Sequence, residues 1–203
     1  AAKEAGLGLL DFLEKRAVAR FSTPAETARL ARDVHVLPEF LGNRSPYADP
    51  DARAVIAGLD LDDGIDSLER LFVASLCGLA YGLADVVDVM RAQGIECEMM
   101  VMSGGASRSA LVRQIMADTT GLDVALPATP EPVLLGAAML GAVAARAYGS
   151  VREAMGAMST IGALTTPSGP SMGEFHIAKR RVYKLMQTLD REGRALMADE
   201  PRA

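Results

Sequence analysis

Residues 98–145 read EMMVMSGGASRSALVRQIMADTTGLDVALPATPEPVLLGAAMLGAVAA. Met99-Met100-Val101-Met102 predicts a buried strand, and Ser103-Gly104-Gly105-Ala106-Ser107-Arg108-Ser109 a tight turn. Ala110 to Thr120 predicts a helix, and Asp123 to Leu126 a second short strand. A small-residue helix opens at Glu131-Pro132 and runs through Leu135-Gly136-Ala137-Ala138. Strands alternating with helices make the chain α/β. Two glycines between a strand and a helix let backbone approach a ligand closely. They also leave N–H groups at a positive helix end, which suits phosphate or a nucleotide ribose.

Upstream, Ala5 to Arg20 predicts a helix with Leu9, Leu10, Leu13 and Val18 inward. Thr23, Pro24 and Glu26 form a helix start with Thr23 as N-cap, and that helix ends near Arg32 or Asp33. His35 to Pro38 predicts a brief extended piece. Gly42 to Arg53 holds two prolines and several Asx residues, the composition of an ordered irregular loop. Asp66 or Ser67 caps a long helix to about Gln93, with Leu68, Leu71, Phe72, Leu76, Leu79, Leu83, Val86, Val87 and Met90 at helical spacing. Its other faces carry Gly78, Ala80, Gly82 and Ala84, so close packing against backbone is expected, and Gly94 ends it.

Downstream, Val151 to Met158 predicts a helix, Ile161 to Thr166 an extended segment, and Thr166 to Pro170 a turn. Met172 to Met197 predicts an amphipathic helix with Ala178, Val182, Leu185, Met186 and Leu189 inward, and the residues from Ala198 are expected to fray. No internal repeat is visible.

The chain has 203 residues, enough for one large domain or one lobe. A net charge of -5 argues against non-specific binding to nucleic acid or an anionic membrane. The longest uncharged apolar stretches, Leu71 to Ala84 and Pro132 to Ala145, are about 14 residues each, short of the ~20 of a membrane helix. Two cysteines and two histidines, with no CxxC pair, leave no structural zinc site, and Cys77 reads as core. The simplest compartment is reducing cytoplasm. The start Ala1-Ala2-Lys3, without Met, points to a processed chain or a piece of a longer one.

The glycine turn matches neither GxxxxGK[ST] nor GxGxxG. Alone it is equally well a strand–helix turn without a ligand. The Pro132 helix alone reads first as close helix packing, with Glu131 complementing its dipole. Arg44 suits phosphate or carboxylate, but a solvated loop explains it too. His35 and His176 have no triad-like neighbours and read as structural.

Four segments in order carry more. They are Gly42-Asn43-Arg44-Ser45-Pro46-Tyr47-Ala48-Asp49-Pro50-Asp51-Ala52-Arg53, ending in Ile56-Ala57-Gly58-Leu59, then Gly78-Leu79-Ala80-Tyr81, then Met102 to Ser109, then Glu131 to Ala138. This set resembles the FGGY carbohydrate kinases, and within them the ribulokinase-like pentulose kinases. Ala54 stands where relatives usually have glycine, and Pro132-Val133-Leu134 replaces the usual small residues before Leu135-Gly136-Ala137.

The resemblance implies an actin-like, ribonuclease-H-like lobe: the C-terminal, nucleotide-binding part of a two-lobe enzyme. ATP with Mg²⁺ would phosphorylate a sugar such as a pentulose, ribulose for example, in the cleft between lobes. Gly104, Gly105 and Ala106 would lie against the nucleotide, Ser109 near the adenosine, and the helix from Glu131 through Gly136 would back the pocket. Asn43 and Arg44 would face the cleft. In the family the catalytic Asp and most sugar contacts precede the matched region, so no catalytic or metal-binding residue is assigned here, and the missing N-terminal lobe is the expected partner. The reading leaves room for a homodimer. Two other readings stand beside it: a non-catalytic actin-like nucleotide-binding or interaction module, and a helix-rich oligomerisation domain.

Overall fold

The computed structural model describes residues 2–198. A long helix, α3 (Ile65–Ala92), is its spine. Ahead of it come α1 (Leu9–Val18), α2 (Pro24–Thr27), a 3-10 segment Ala28–Ala31, and a hairpin of β1 (His35–Leu37) and β2 (Val55–Ala57). After it come β3 (Met99–Val101), α4 (Ala110–Thr120), β4 (Asp123–Pro127), α5 (Pro132–Ala144), α6 (Val151–Met158), β5 (Ile161–Thr165) and α7 (Pro170–Leu196).

β1 pairs antiparallel with β2, His35 opposite Ala57. The second sheet has the order β3-β4-β5, β3 parallel to β4 and β5 antiparallel to it, with a shift between Ala125 and Pro127. α4 is the crossover between the two parallel strands, as a parallel pair requires. Ser109 accepts the Val112 N–H and caps α4; Gly121, at φ 69°, ends it.

α3 centres its small residues on the core, with Leu71, Phe72 and Leu76 packed at their sides. Val73, Ala74, Cys77, Gly78, Ala80, Tyr81 and Ala84 are buried, while Leu68 and Leu79 are exposed. β1 sets this rotation. A methyl group on Gly78 would lie 2.2 Å from the Val36 carbonyl oxygen, so helix and strand backbones touch there. Where backbone meets backbone only small side chains fit, and the leucines swing to the flanks. The helix begins at Ile65 with Gly64 as N-cap, so neither Asp66 nor Ser67 caps it.

By length and composition α3 could cross a membrane, its most apolar window having a mean hydropathy of 1.6. Half of that window is buried in the protein, and the helix holds two internal carboxylates, Glu69 and Asp85. Glu69 meets Arg16 at 2.6 Å and Arg20 at 3.0 Å, tying α1 to α3. Asp85 meets Arg180 at 2.5 Å and Lys184 at 2.6 Å, tying α7 to α3. Burial pushes the Asp85 carboxyl up, but hydrogen bonds from Arg180 and Lys184 outweigh it and hold the group below the usual carboxylate range. These are the features of a helix packed inside the fold.

α7 also turns differently from its leucine pattern. Met172, His176, Lys179, Tyr183, Met186 and Gln187 face in; Ala178, Leu185 and Leu189 face out. Polar side chains choose this face because their partners lie beneath it. Tyr81 Oη is 3.0 Å from His176 Nδ1. The Lys179 ammonium donates to the carbonyls of Ala31 and Val34, the latter at 2.8 Å, and closes the end of the 3-10 segment. Gln187 donates to Asp85 at 3.2 Å. α1 follows the same logic: it starts at Leu9, buries Leu13 and Ala17, and leaves Leu9 and Leu10 exposed.

The strand expected to be buried is not. Met99 and Val101 are exposed, and β3 is the open edge of its sheet. α5 buries only Met139, leaving Val133, Leu134 and Leu140 exposed, so it is less closely packed than its small residues suggest. Of the end expected to fray, Ala198 sits in a turn and residues 199–203 lie outside the described residues.

Candidate functional site

The turn after β3 is shaped by Gly104, whose φ of 86° is a conformation that side chains oppose. The chain then makes one 3-10 turn, Gly105–Arg108. Ser107 donates its N–H at 3.2 Å and its hydroxyl at 2.7 Å to the Gly104 carbonyl, and Arg113 grips the Ser107 carbonyl at 2.6 Å. The N–H groups of Gly105 and Ala106 have no acceptor among the described residues. Nothing lies within 4 Å of where a side chain on Gly104 or Gly105 would begin. Packing therefore does not require glycine at position 105; the space beside it is free for something else.

That space opens into a groove of about 770 Å³ between α1 and the start of α4. Leu10, Val18 and Leu76 give it apolar walls, and Glu14, Lys15 and Arg108 put both signs of charge at its sides. Gly105, Ala106 and Ser109 line it as well. The Ser109 hydroxyl donates to Glu14 at 2.6 Å and accepts from Val112 at 3.0 Å, so it already has two partners within the chain. Glu14 and the rest of the α1 wall escaped sequence reasoning. A signal existed: Asp11, Glu14 and Lys15 recur at three- and four-residue spacing beside Leu10, a polar stripe that the apolar count passed over.

The remaining expected residues lie elsewhere. Gly136 lines a second, apolar groove of about 1040 Å³ with Val101, Leu135, Met139, Met155 and Ile161. Glu131 stands at the start of α5, where its carbonyl accepts the Leu135 N–H at 3.0 Å. The two grooves flank the β3 end, from Val101 in one to Gly105 in the other, but they do not share these residues.

Asn43 is an internal brace. Its amide donates to Glu39 at 2.6 Å, its side-chain oxygen accepts from the Tyr47 N–H at 3.2 Å, and its backbone pairs with Asp49. It lines a pocket of about 300 Å³ beside Gln187 and Asp190 of α7. Arg44 next to it is exposed. Among the described residues no group of three His, Cys, Asp or Glu side chains is placed to hold a metal ion. His176 is buried beside Tyr81 and Phe175, and burial lowers its imidazole to about 4, so it is neutral near pH 7.

Comparison with known proteins agrees with this architecture. The model for the C-terminal domain of the FGGY family of carbohydrate kinases matches residues 8–145. An FGGY carbohydrate kinase domain-containing protein of Danio rerio is 39% identical over 171 residues, covering 84% of this chain and 31% of that protein. A D-ribulokinase of Saccharomyces cerevisiae is 34% identical over 125 residues, 61% of this chain and 18% of that protein. The crystal structure of a xylulose kinase from Rhodospirillum rubrum superposes with a TM-score of 0.62 at 27% identity, covering 89% of this chain and 37% of that one. The chain thus spans about a third of the length of the Danio rerio relative. Its fold is part of the actin-like α/β architecture of these kinases. On the match to more than half its length, this chain belongs to the FGGY family of carbohydrate kinases and carries the family's C-terminal domain.

Proposed function

We propose that residues 1–203 form a single ATP-binding lobe of a sugar kinase, one that transfers the γ-phosphate of ATP to a hydroxyl of a pentulose such as ribulose. The observation that carries this reading is the unfilled space beside Gly105, with two unclaimed backbone N–H groups, at the mouth of the groove between α1 and α4. The apolar walls suit a base, and Glu14, held in place by Ser109, suits a ribose hydroxyl. The N–H groups at Gly105 and Ala106 suit an anionic oxygen. The pentulose is supported by likeness to the yeast D-ribulokinase and to the xylulose kinase structure. Likeness to glycerol kinases such as that of Enterococcus casseliflavus, 32% identical over 148 residues, keeps polyols as the competing acceptor class.

Phosphoryl transfer also needs Mg²⁺ and an acid that accepts the hydroxyl proton. Mg²⁺ in such sites is usually held by substrate phosphates with one or two carboxylates, and we read it here as arriving with the ATP. No residue lining the α1–α4 groove is assigned as the proton acceptor; that group and most sugar contacts belong to a second lobe. The free thiols of Cys77 and Cys97 suit a reducing cytoplasm.

The test is a titration of the chain with MgATP, followed by the amide resonances of Gly104, Gly105 and Ala106. Shifts confined to the turn and to α1 support the site. Shifts at Gly136 and Met139 alone would move the nucleotide to the apolar groove, and none at either place would count against a nucleotide site in this chain.

A further inference from the structure

The pocket of about 300 Å³ between the loop of residues 42–53 and α7 holds a carboxylate that nothing in the fold neutralises. Glu39 lines it and is only 8% exposed. Its Oε1 accepts the Asn43 amide at 2.6 Å. Its Oε2 has no hydrogen bond, and the carboxylate no ion pair, among the described residues. The cations nearby have other partners. Arg194 is held between Asp49 at 2.6 Å and Asp190 at 3.0 Å. Lys184 meets Asp85 at 2.6 Å, and Arg191, also in the lining, donates to Thr188 at 3.4 Å. A carboxylate shut away from water and matched only by a neutral amide is unfavourable. A positive group entering the pocket would complete it.

The shape and the donor set narrow the class of that group. A protein-bound Ca²⁺ takes about six to eight oxygens, and no three His, Cys, Asp or Glu side chains among the described residues converge to hold a metal ion. The volume stands at the lower end of small-molecule sites, which span roughly 300–1,000 Å³, and far exceeds a bare alkali ion. An ammonium N–H can donate to Glu39 Oε2 as a charge-assisted hydrogen bond. Carbon atoms behind it would lie against Ala52 and the Tyr47 ring, which line the same pocket.

We propose that this pocket binds a small organic ammonium ion seated on Glu39. Its occupancy ties the loop of residues 42–53 to α7. The proposal does not depend on nucleotide binding, because the pocket shares no residue with the groove lined by Gly105 and Glu14.

The experiment is a thermal-melt titration of the purified protein with propylammonium chloride, KCl and tetramethylammonium chloride, each at one ionic strength held with NaCl. Propylammonium is expected to raise the melting temperature saturably, because it binds the folded state alone, and to shift the Asn43 side-chain amide resonance. Tetramethylammonium, which has no N–H to donate, is expected to do neither. Glu39→Gln keeps the shape and removes the charge, and is expected to weaken propylammonium binding at least about tenfold. Ala52→Val narrows the pocket without touching its charge and is expected to weaken binding as well, so the test survives if one variant fails to fold. No saturable rise with propylammonium would overturn the proposal, as would an equal rise with tetramethylammonium. A rise with KCl alone would replace the organic ion by an alkali ion. Full binding by a folded Glu39→Gln variant would remove Glu39 as the seat. A response of this chain that the intact enzyme lacks would mean that a cation of the second lobe fills the pocket, and would overturn the proposal too.

Discussion

The Ser109 hydroxyl joins two helices: it donates to the Glu14 carboxylate of α1 at 2.6 Å and accepts the Val112 N–H of α4 at 3.0 Å. One small side chain thus caps α4 and fixes the opposite wall of the candidate groove. Ser109→Ala should lower stability by about 1 kcal/mol, the usual worth of an N-cap. It should weaken nucleotide binding as well, because Glu14 loses its orienting partner. Thermal denaturation and a MgATP titration of the same variant separate the two effects. A melt identical to wild type would remove the cap assignment.

Glycines 105 and 78 are expected to respond in opposite ways. Gly105→Val meets open space, so the fold should tolerate it within about 0.5 kcal/mol, the range of a surface substitution. Its cost should fall on ATP affinity in the intact enzyme, read as a raised KM. Gly78→Ala places a methyl 2.2 Å from the Val36 carbonyl oxygen and should destabilise by about 3 kcal/mol, the upper range for overpacking. Urea denaturation of both variants checks the contrast. Unchanged ATP kinetics for Gly105→Val would contradict the pocket.

Acid should unfold the protein partly through His176. Burial lowers its imidazole from 6.5 to about 4. Between those values the unfolded chain binds a proton that the folded chain does not, so stability falls as pH drops through that window. The contribution is at most about 3 kcal/mol, since each tenfold change in proton affinity between the folded and unfolded chain is worth about 1.4 kcal/mol. The Asp85 carboxyl is held below 3.8, so its loss comes at lower pH and is separable. Stability curves of wild type and His176→Leu between pH 7 and pH 4, a span taken from the two His176 values, should diverge. Parallel curves would mean that His176 does not set the slope.

The chain alone is expected to lack sugar kinase turnover, since the proposed function leaves the group that accepts the hydroxyl proton to a second lobe. A coupled assay for ADP with ribulose, xylulose and glycerol tests this directly. Steady ADP release dependent on any of these acceptors would show that the chain carries its own catalytic group.

What was legible in the sequence was local. α4 and α6 run between the expected residues because Ser109 and Ser150 cap them through bonds spanning three positions. Pro132 starts α5 for the same kind of reason. The faces of α1, α3 and α7 were only partly legible from apolar spacing: Leu13, Val87 and Met186 are buried as expected, but the centre of each face lies elsewhere. Leu9, Leu185 and Leu189 count as core by hydropathy, yet His176, Lys179 and Glu69 take the inner positions because Tyr81, Val34 and Arg16 wait there, each more than fifty residues away in sequence. The site divides in the same way. Its glycine turn is written in consecutive residues, whereas the wall opposite depends on Glu14, ninety-five positions before Ser109.

The clasp of Lys179 on the Ala31 and Val34 carbonyls makes that amine a clock for the opening of α7. Burial lowers the ammonium to about 8, so a neutral, acylatable amine is present in mild alkali. It is 95% enclosed and shielded from reagent until the helix lifts. Lys3, Lys15 and Lys184 are all more accessible and would be tagged first. The lag before a fourth lysine is tagged, read by mass spectrometry, would time how often the C-terminal helix lets go of the hairpin side of the molecule.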